Sequence, residues 1–497
     1  MQANSNDTTL PPWQNSASKI SNSSRWWSAY RGAFHADWIE RARDWRVKLV
    51  VSLGLLLAIL SAIFTANEVR DTMADRALAK QVEEKRWAGQ GKKNAHSAAH
   101  YGIYVFKPVT VLAAIEPGIE RYVGSTVWLE AHKQNEFAYR PANDQLGAAR
   151  QMPLTPAFVL QVLAPLAMIF LGFGLFAAER ERGTLRSLRM TAAPLAAIGA
   201  ARATTLFLAG VIIALPAAIA VTIVLMLSQT ANPFTDGALR LGVFTASYTL
   251  YLAIWALTIA AISAWAKTTR LALAILVAIW VTWTLVLPRA AVELAEVAYQ
   301  LPSAQSFREN LERTLGEPHD PVEDAKQKAA ILAQYGVTDI KDLPVNWNGI
   351  NMARGEARGD KIFDQFYGEL LAGFSKQSRM MSNFGWVSPA IAVGNAASAA
   401  AASDTAHHLR FIQDAETHRR VIQTKLNDFI TANPDRDGKR VDGDEALWRS
   451  IPPFNYQFPP LQTMTGLNNV AQLIVLLLVA MLAFYWRCNR LAREAWV

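Results

Sequence analysis

The chain has 497 residues, a hydrophobic fraction of 52%, a formal net charge of +8 and one cysteine, Cys488. A lone cysteine excludes a disulfide framework. The apolar residues gather in long uncharged runs and the basic excess in short segments beside them, so the positive charge reads as membrane topology and no nucleic-acid partner is expected.

Residues 1–35 open with MQANSNDTTLPPWQNSASKISNSS, which has no apolar core and reads as a disordered cytoplasmic tail. No apolar run lies early enough to predict a cleaved signal peptide. In ADWIERARDWRVKL, 36–49, Trp38, Ala42, Trp45 and Leu49 recur at helical spacing, while Glu40, Arg43, Asp44 and Arg46 fall largely elsewhere. That pattern predicts an interfacial helix over 36–48, or a charged flank with Trp anchors.

Six uncharged runs are long enough to cross a bilayer: 49–66, 156–177, 205–227, 241–266, 271–288 and 467–486. None contains Asp, Glu, Lys, Arg or His. Between them lie two large segments, 67–155 and 289–466, and three short ones, including 178–204. Segments 1–48, 178–204, 267–270 and 487–497 together hold 17 Lys/Arg against 7 acidic residues, whereas the remainder holds 32 against 34. Short basic segments stay inside. Both termini, including the tail 487–497, are therefore expected in the cytoplasm of a multi-pass inner-membrane protein, with the two large segments outside.

The expected fold class is mainly α: a polytopic membrane protein with six transmembrane helices and two largely helical extracytoplasmic domains. The first domain begins with the polar helical pattern NEVRDTMADRALAKQVEEKRW and becomes irregular around Pro108, Pro117, Gly118, Pro141 and Pro153. The second carries helical stretches such as AETHRRVIQTKLNDFITA, 415–432, and ends in IPPFNYQFPP. Within it WVSPAIAVGNAASAAAAS, 386–403, is uncharged but rich in Ala, Gly and Ser, which contribute little transfer energy. It is expected to lie in or near the outer membrane surface.

The segment 178–204 begins AERERGTLRSLRMTAAP. Thr184 is placed to cap a short helix, with Leu185, Arg186, Leu188 and Arg189 following and Pro194 stopping or restarting it. Such a helix would lie across the ends of two spans and present Leu and Arg to a partner.

ERERGTLRSLRMTAAP resembles the coupling-helix region of ABC-2-type permeases through Glu179, Glu181, Gly183, Thr184, Leu185, Leu188 and Pro194. AAHYGIYVFKP at 98–108, VWLEAHKQN at 127–135 and SDTAHHLRF at 403–411 resemble the subgroup of that family with two large outside insertions, described as a domain of unknown function. The resemblance covers most of the chain after residue 40. It implies a non-catalytic exporter subunit that docks on a separate P-loop ATP-binding subunit, pairs as a homodimer or with a second permease, and itself needs no cofactor.

The chemistry that the sequence lacks agrees with that division of labour. No G-x-x-x-x-G-K-[ST] motif occurs, and GQGKKN at 89–94 lacks the spacing, so ATP is expected on a partner chain. No G-x-S-x-G motif occurs. Spans without an ionisable residue weigh against an ion-driven carrier. In the second span Gln161, Pro165, Gly172 and Gly174 suggest a bend or close packing. His407 and His408 point to different helix faces, and His418 lies about 16 Å further along a helix. Asp414 and His418, at i,i+4, suit a surface pair, so no metal site is expected and the outside Asp and Glu read as solvated. Two alternatives stay open: ATP-driven mechanical work on an envelope partner with nothing crossing, or a membrane-anchored sensor or scaffold.

Overall fold

In the computed structural model the described residues are 22–138, 140, 154–191, 193–227, 236–318, 320–434, 441–463 and 466–493. Within these the chain is mainly α, and six helices are long and apolar enough to cross a membrane. They are α2 (Trp45–Ala88), α4 (Pro156–Glu181), α6 (Leu195–Leu227), α7 (Gly237–Trp265), α8 (Thr269–Ala298) and α15 (Gly466–Arg493). The protein is a polytopic membrane protein.

Several helices outrun the apolar runs that nucleate them. The tail expected to be disordered is helical from Asn22: α1 (Asn22–Arg43) carries Trp26, Tyr30, Phe34 and Trp38 at i,i+4, with rings stacked 5.5, 6.2 and 6.1 Å apart. Residues 1–21 lie outside the described set. The interfacial helix is thus longer at its start than expected and stops earlier. Asp44 accepts from Arg46 N at 2.8 Å and begins α2, so Trp45 and Leu49 belong to the membrane helix. Helix α2 continues through the polar pattern to Ala88, about 66 Å at 1.5 Å per residue. Residues 195–204, expected in the cytoplasmic segment, are the first turns of α6.

Two membrane helices contain π-helical turns, at Val159–Leu163 and Thr282–Val286. A π-turn loosens the regular ladder, and side chains from neighbouring helices take up its carbonyls. Tyr251 hydroxyl donates to Gln161 O at 2.5 Å, and Trp280 Nε1 donates to Val162 O at 2.9 Å. At the second turn Ser388 Oγ donates to Trp283 O at 2.7 Å. Helix α4 is also interrupted at 173–176, where Ser263 Oγ donates to Phe173 O at 2.8 Å and accepts from Phe176 N at 2.9 Å. Gly172 sits at a crossing so close that a Cβ would meet Ile259 at 2.6 Å and Leu206 at 2.7 Å.

The first loop folds as α3 (Ala95–Tyr101) and an antiparallel hairpin of β1 (Ile103–Phe106) and β2 (Thr126–Leu129), with Val105 opposite Val127. The second loop contributes α9 (Ala304–Leu315), α10 (Pro321–Gln334), α11 (Trp347–Asn383), α12 (Pro389–Ala400), α13 (Thr405–Ala432) and α14 (Glu445–Ser450). The two loops share a core. Trp87, Ala98, Val105 and Leu129 of the first pack with Ala415, Ile422, Leu426 and Trp448 of the second. Trp87 Nε1 donates to Trp448 O at 3.0 Å, which pins the far end of α2 to that core.

The expectation for 386–403 is corrected. Helix α12 does not lie on a surface: Ala392, Val393, Ala396, Ala397, Ala399 and Ala400 are all buried, and the helix packs between α7 and α15. Small side chains permit that approach. At 12 residues it spans about 18 Å, too short to cross a bilayer core of about 30 Å, so it enters the bundle and ends there.

That buried end needs partners for its carbonyls. Arg240, fully buried at the start of α7, donates to Ala399 O at 3.0 Å, Ala400 O at 3.3 Å and Pro459 O at 2.5 Å. Asp236 holds the guanidinium at 2.8 Å. From the first loop, Thr110 Oγ1 donates to Ala401 O at 2.6 Å. Replacing Arg240 by Met removes its bonds to the carbonyls of Ala399, Ala400 and Pro459 and leaves the Asp236 carboxylate without its buried cation, a loss on the order of 3–5 kcal/mol. Thermal unfolding in detergent should therefore show a large fall in Tm for Arg240→Met and little change for Arg289→Ala, whose ion pair with Glu293 is exposed.

Candidate functional site

Residues 177–191, 193 and 194 form an elbow at one end of the bundle. The last turn of α4 is tied to three other helices by its charged side chains. Glu179 accepts two bonds from Arg202 of α6, at 2.6 and 2.9 Å, and Arg202 also donates to Leu175 O at 2.6 Å. Arg180 donates to Ala264 O at 2.9 Å, and to Ala266 O, at the end of α7. Glu181 accepts from Thr269 N at 3.0 Å and Thr269 Oγ1 at 2.9 Å, at the start of α8. The carboxylates thus take up groups that other helix ends present, and the turn cannot move without those helices.

Gly183 then reverses the chain with φ +77°, a conformation that costs an L-residue roughly 1–2 kcal/mol. Helix α5 (Thr184–Met190) follows. Gly183, and not Thr184, occupies the cap position; the Thr184 hydroxyl donates back to Glu179 O at 3.3 Å. Pro194 starts α6, its carbonyl accepting from Ala197 N at 2.9 Å.

The leucines do not face outward as expected. Leu185 is buried and Leu188 half-buried, both against the main core, because an apolar stripe on so short a helix must cover the bundle end beneath it. Arg182, Arg186 and Ser187 are exposed, and Met190 is 73% exposed. Arg189 reaches back to Ala492 O of α15 at 3.3 Å. The face left open is therefore Arg182, Arg186 and Met190. It lies among the described parts of the four basic segments, which the fold gathers at one end: Tyr30 hydroxyl of α1 donates to Thr204 Oγ1 at 3.1 Å, Asp37 accepts from Thr205, and Arg487 Nε donates to Ala264 O at 3.1 Å.

A second site lay hidden from sequence reasoning. Glu116 of the first loop is buried against the membrane helices, where Gln161 Nε2 donates to it at 2.6 Å and Tyr248 hydroxyl at 2.9 Å. The spans carry no carboxylate of their own, but a loop inserts one. Its signal was a single acid in the apolar stretch VTVLAAIEPG. Gln161, read as a packing residue, is this carboxyl's partner. Burial pushes Glu116 up to about 7 from an ordinary value near 4.5, with the bonds from Tyr248, Gln161 and the Gly118 backbone opposing the shift.

Other acids expected to be solvated are also engaged. Arg419, 1% exposed, binds Glu416 at 2.6 Å and Asp360, and donates to Ala131 O at 2.5 Å, joining α13, α11 and the turn after β2. The histidines considered for metal do not converge. His407 contacts Asp404 at 2.5 Å, His408 stands against Phe137 and His418 against Phe454. Asp414 pairs with Arg410 at 3.0 Å, not with His418. Three different histidines, not weighed in the sequence, do meet: His96, His100 and His132, the last brought from 32 residues away by the hairpin.

Glu116 generates a pH prediction. Its carboxyl binds a proton more tightly folded than unfolded between about pH 4.5 and 7, so stability falls as pH rises through that window. At about 1.4 kcal/mol per unit the full effect is on the order of 3 kcal/mol. Glu116→Gln should remove this decline: Tm of the variant relative to the parent should rise from pH 5 to pH 8, and a constant difference would contradict it.

Residues 304–457, from the start of α9 to the Pro-rich stretch, match a family model described as a domain of unknown function (DUF3526). No curated protein and no solved structure matches the chain.

Proposed function

We propose that this protein is the membrane subunit of an ABC-2-type transporter, an exporter driven by a separate P-loop ATPase that docks on α5. The observation that carries the reading is the elbow. A short rigid helix exposes Arg186 and Met190, with Arg182 exposed just before it, while Glu179, Arg180 and Glu181 anchor the preceding turn to α6, α7 and α8. A push on α5 is thereby shared among the membrane helices. The ATPase supplies all nucleotide chemistry, and this chain is non-catalytic and holds no cofactor for it. The gathered basic segments support a cytoplasmic position for both termini in the inner membrane. A second permease copy, identical or related, completes the transporter.

One observation favours mechanical work on an envelope partner as the second reading. Helix α2 runs unbroken from the bundle into the shared core of the two loops and ends on Trp448. Motion at its membrane end would be delivered to that core whether or not a substrate crosses. Transport of a labelled substrate into inverted vesicles separates the two readings; both require the docking helix.

Arg186→Glu tests that helix. The side chain is exposed, so stability should change little. The P-loop ATPase recovered per mole of purified permease should fall roughly tenfold, the equivalent of about 1.4 kcal/mol. Undiminished recovery and undiminished coupled ATP hydrolysis would refute docking at α5.

A further inference from the structure

His96 and His100 stand one turn apart on α3 and share its exposed face. Asn94 fixes the start of that helix by accepting from His96 N at 2.8 Å. The third imidazole, His132, comes from the turn after β2, which is held against α3 by Ala131 N donating to Ala99 O at 3.1 Å. The same turn is gripped from the second loop by Arg419. The His132 ring centroid lies 4.8 Å from that of His96 and 4.5 Å from that of His100. One nitrogen from each ring lies within 4.8 Å of the other two.

His132 is the informative member. Its Nε2 is buried yet has no hydrogen-bond partner. Its Nδ1 lies 2.6 Å from Glu356 Oε1 of α11, a charge contact that orients the ring although it is off the line of a good hydrogen bond. Glu356 is in turn fixed by Asn427 of α13, whose Nδ2 donates to its other oxygen. A carboxylate behind one imidazole nitrogen, with the other nitrogen desolvated and unpaired, is the arrangement that supports a metal ligand. Ordinary packing gives no reason to leave a buried acceptor unpaired beside two further imidazoles.

We propose that His96, His100 and His132 bind a divalent transition-metal ion of the zinc type, with one coordination position open towards solvent. Three imidazoles without thiolate suit zinc, and also copper or nickel, while hard cations such as magnesium prefer oxygen. A tetrahedral zinc with Zn–N of about 2.0–2.1 Å requires nitrogens roughly 3.3 Å apart, so the rings close by small rotations. The exposed sides of His96 and His100 leave the fourth position to water or to a donor from another molecule. Through Glu356 the ion would also clasp the first loop to the second. Nothing in this site depends on the docking helix.

The test uses the full-length protein in detergent, purified without a polyhistidine tag, stripped with chelator and titrated with zinc alone. One equivalent should bind with sub-micromolar Kd, and cobalt substituted for zinc should give the intense visible bands of a tetrahedral site. His96→Ala and His132→Gln should each weaken zinc binding by about 100-fold or more, and Glu356→Gln by about 10- to 100-fold. His418→Ala, outside the cluster, should bind as the parent does. Metal-free Tm values matching the parent show that the variants are folded; His100→Asn serves where one is not. Absence of stoichiometric binding, or binding unchanged by these substitutions, would overturn the proposal.

Discussion

The structure depends on one constraint: a helix that ends inside the bundle must find partners for its last carbonyls where water is excluded. Helix α12 ends in that way, and Arg240 is the answer. Its guanidinium spans the carbonyls of Ala399, Ala400 and Pro459, and its charge is balanced by Asp236. Around the same end, Thr110 and Glu116 bring in the first loop: Thr110 donates to Ala401 O, and Ser403 Oγ donates to Glu116 O at 2.8 Å. The loops are therefore not hung from the bundle by tethers. They are built into it through hydrogen bonds to buried backbone groups.

The opposite end obeys the same logic with charges at the surface. Each charged residue of the last turn of α4 satisfies a backbone or side-chain group on another helix, and the following short helix keeps Arg186 and Met190 exposed. An element so anchored, open on its basic side, is suited to receive force. The long α2 and the shared loop core give that force somewhere to go. Beside the buried end of α12 sits Glu116, a carboxyl near its titration point at neutral pH, in contact with the π-turn of α4 through Gln161.

The six membrane helices were legible because uncharged runs of that length have few other uses, and helix 184–190 because Gly183, Thr184 and Pro194 punctuate it. What was not legible depended on tertiary contacts. Arg240 and Asp236 flank an apolar run and look like ordinary interfacial charges. The run at 386–403 is too Ala-rich to read as inserted by hydropathy, yet small side chains are what let α12 pack between α7 and α15. The leucines of α5 looked like docking residues because a sequence does not reveal what lies beneath a helix. Glu116 and His132 reach their partners through a loop and the turn after β2, and no local spacing announces either.

The docking claim is tested most directly by a photocrosslinking residue in place of Met190, whose side chain is 73% exposed on α5. Irradiation of native membranes followed by mass spectrometry should yield a crosslink to a chain bearing the P-loop motif, lost when Arg186 is reversed. Crosslinks confined to lipid or to this chain itself would contradict an ATPase seated on α5.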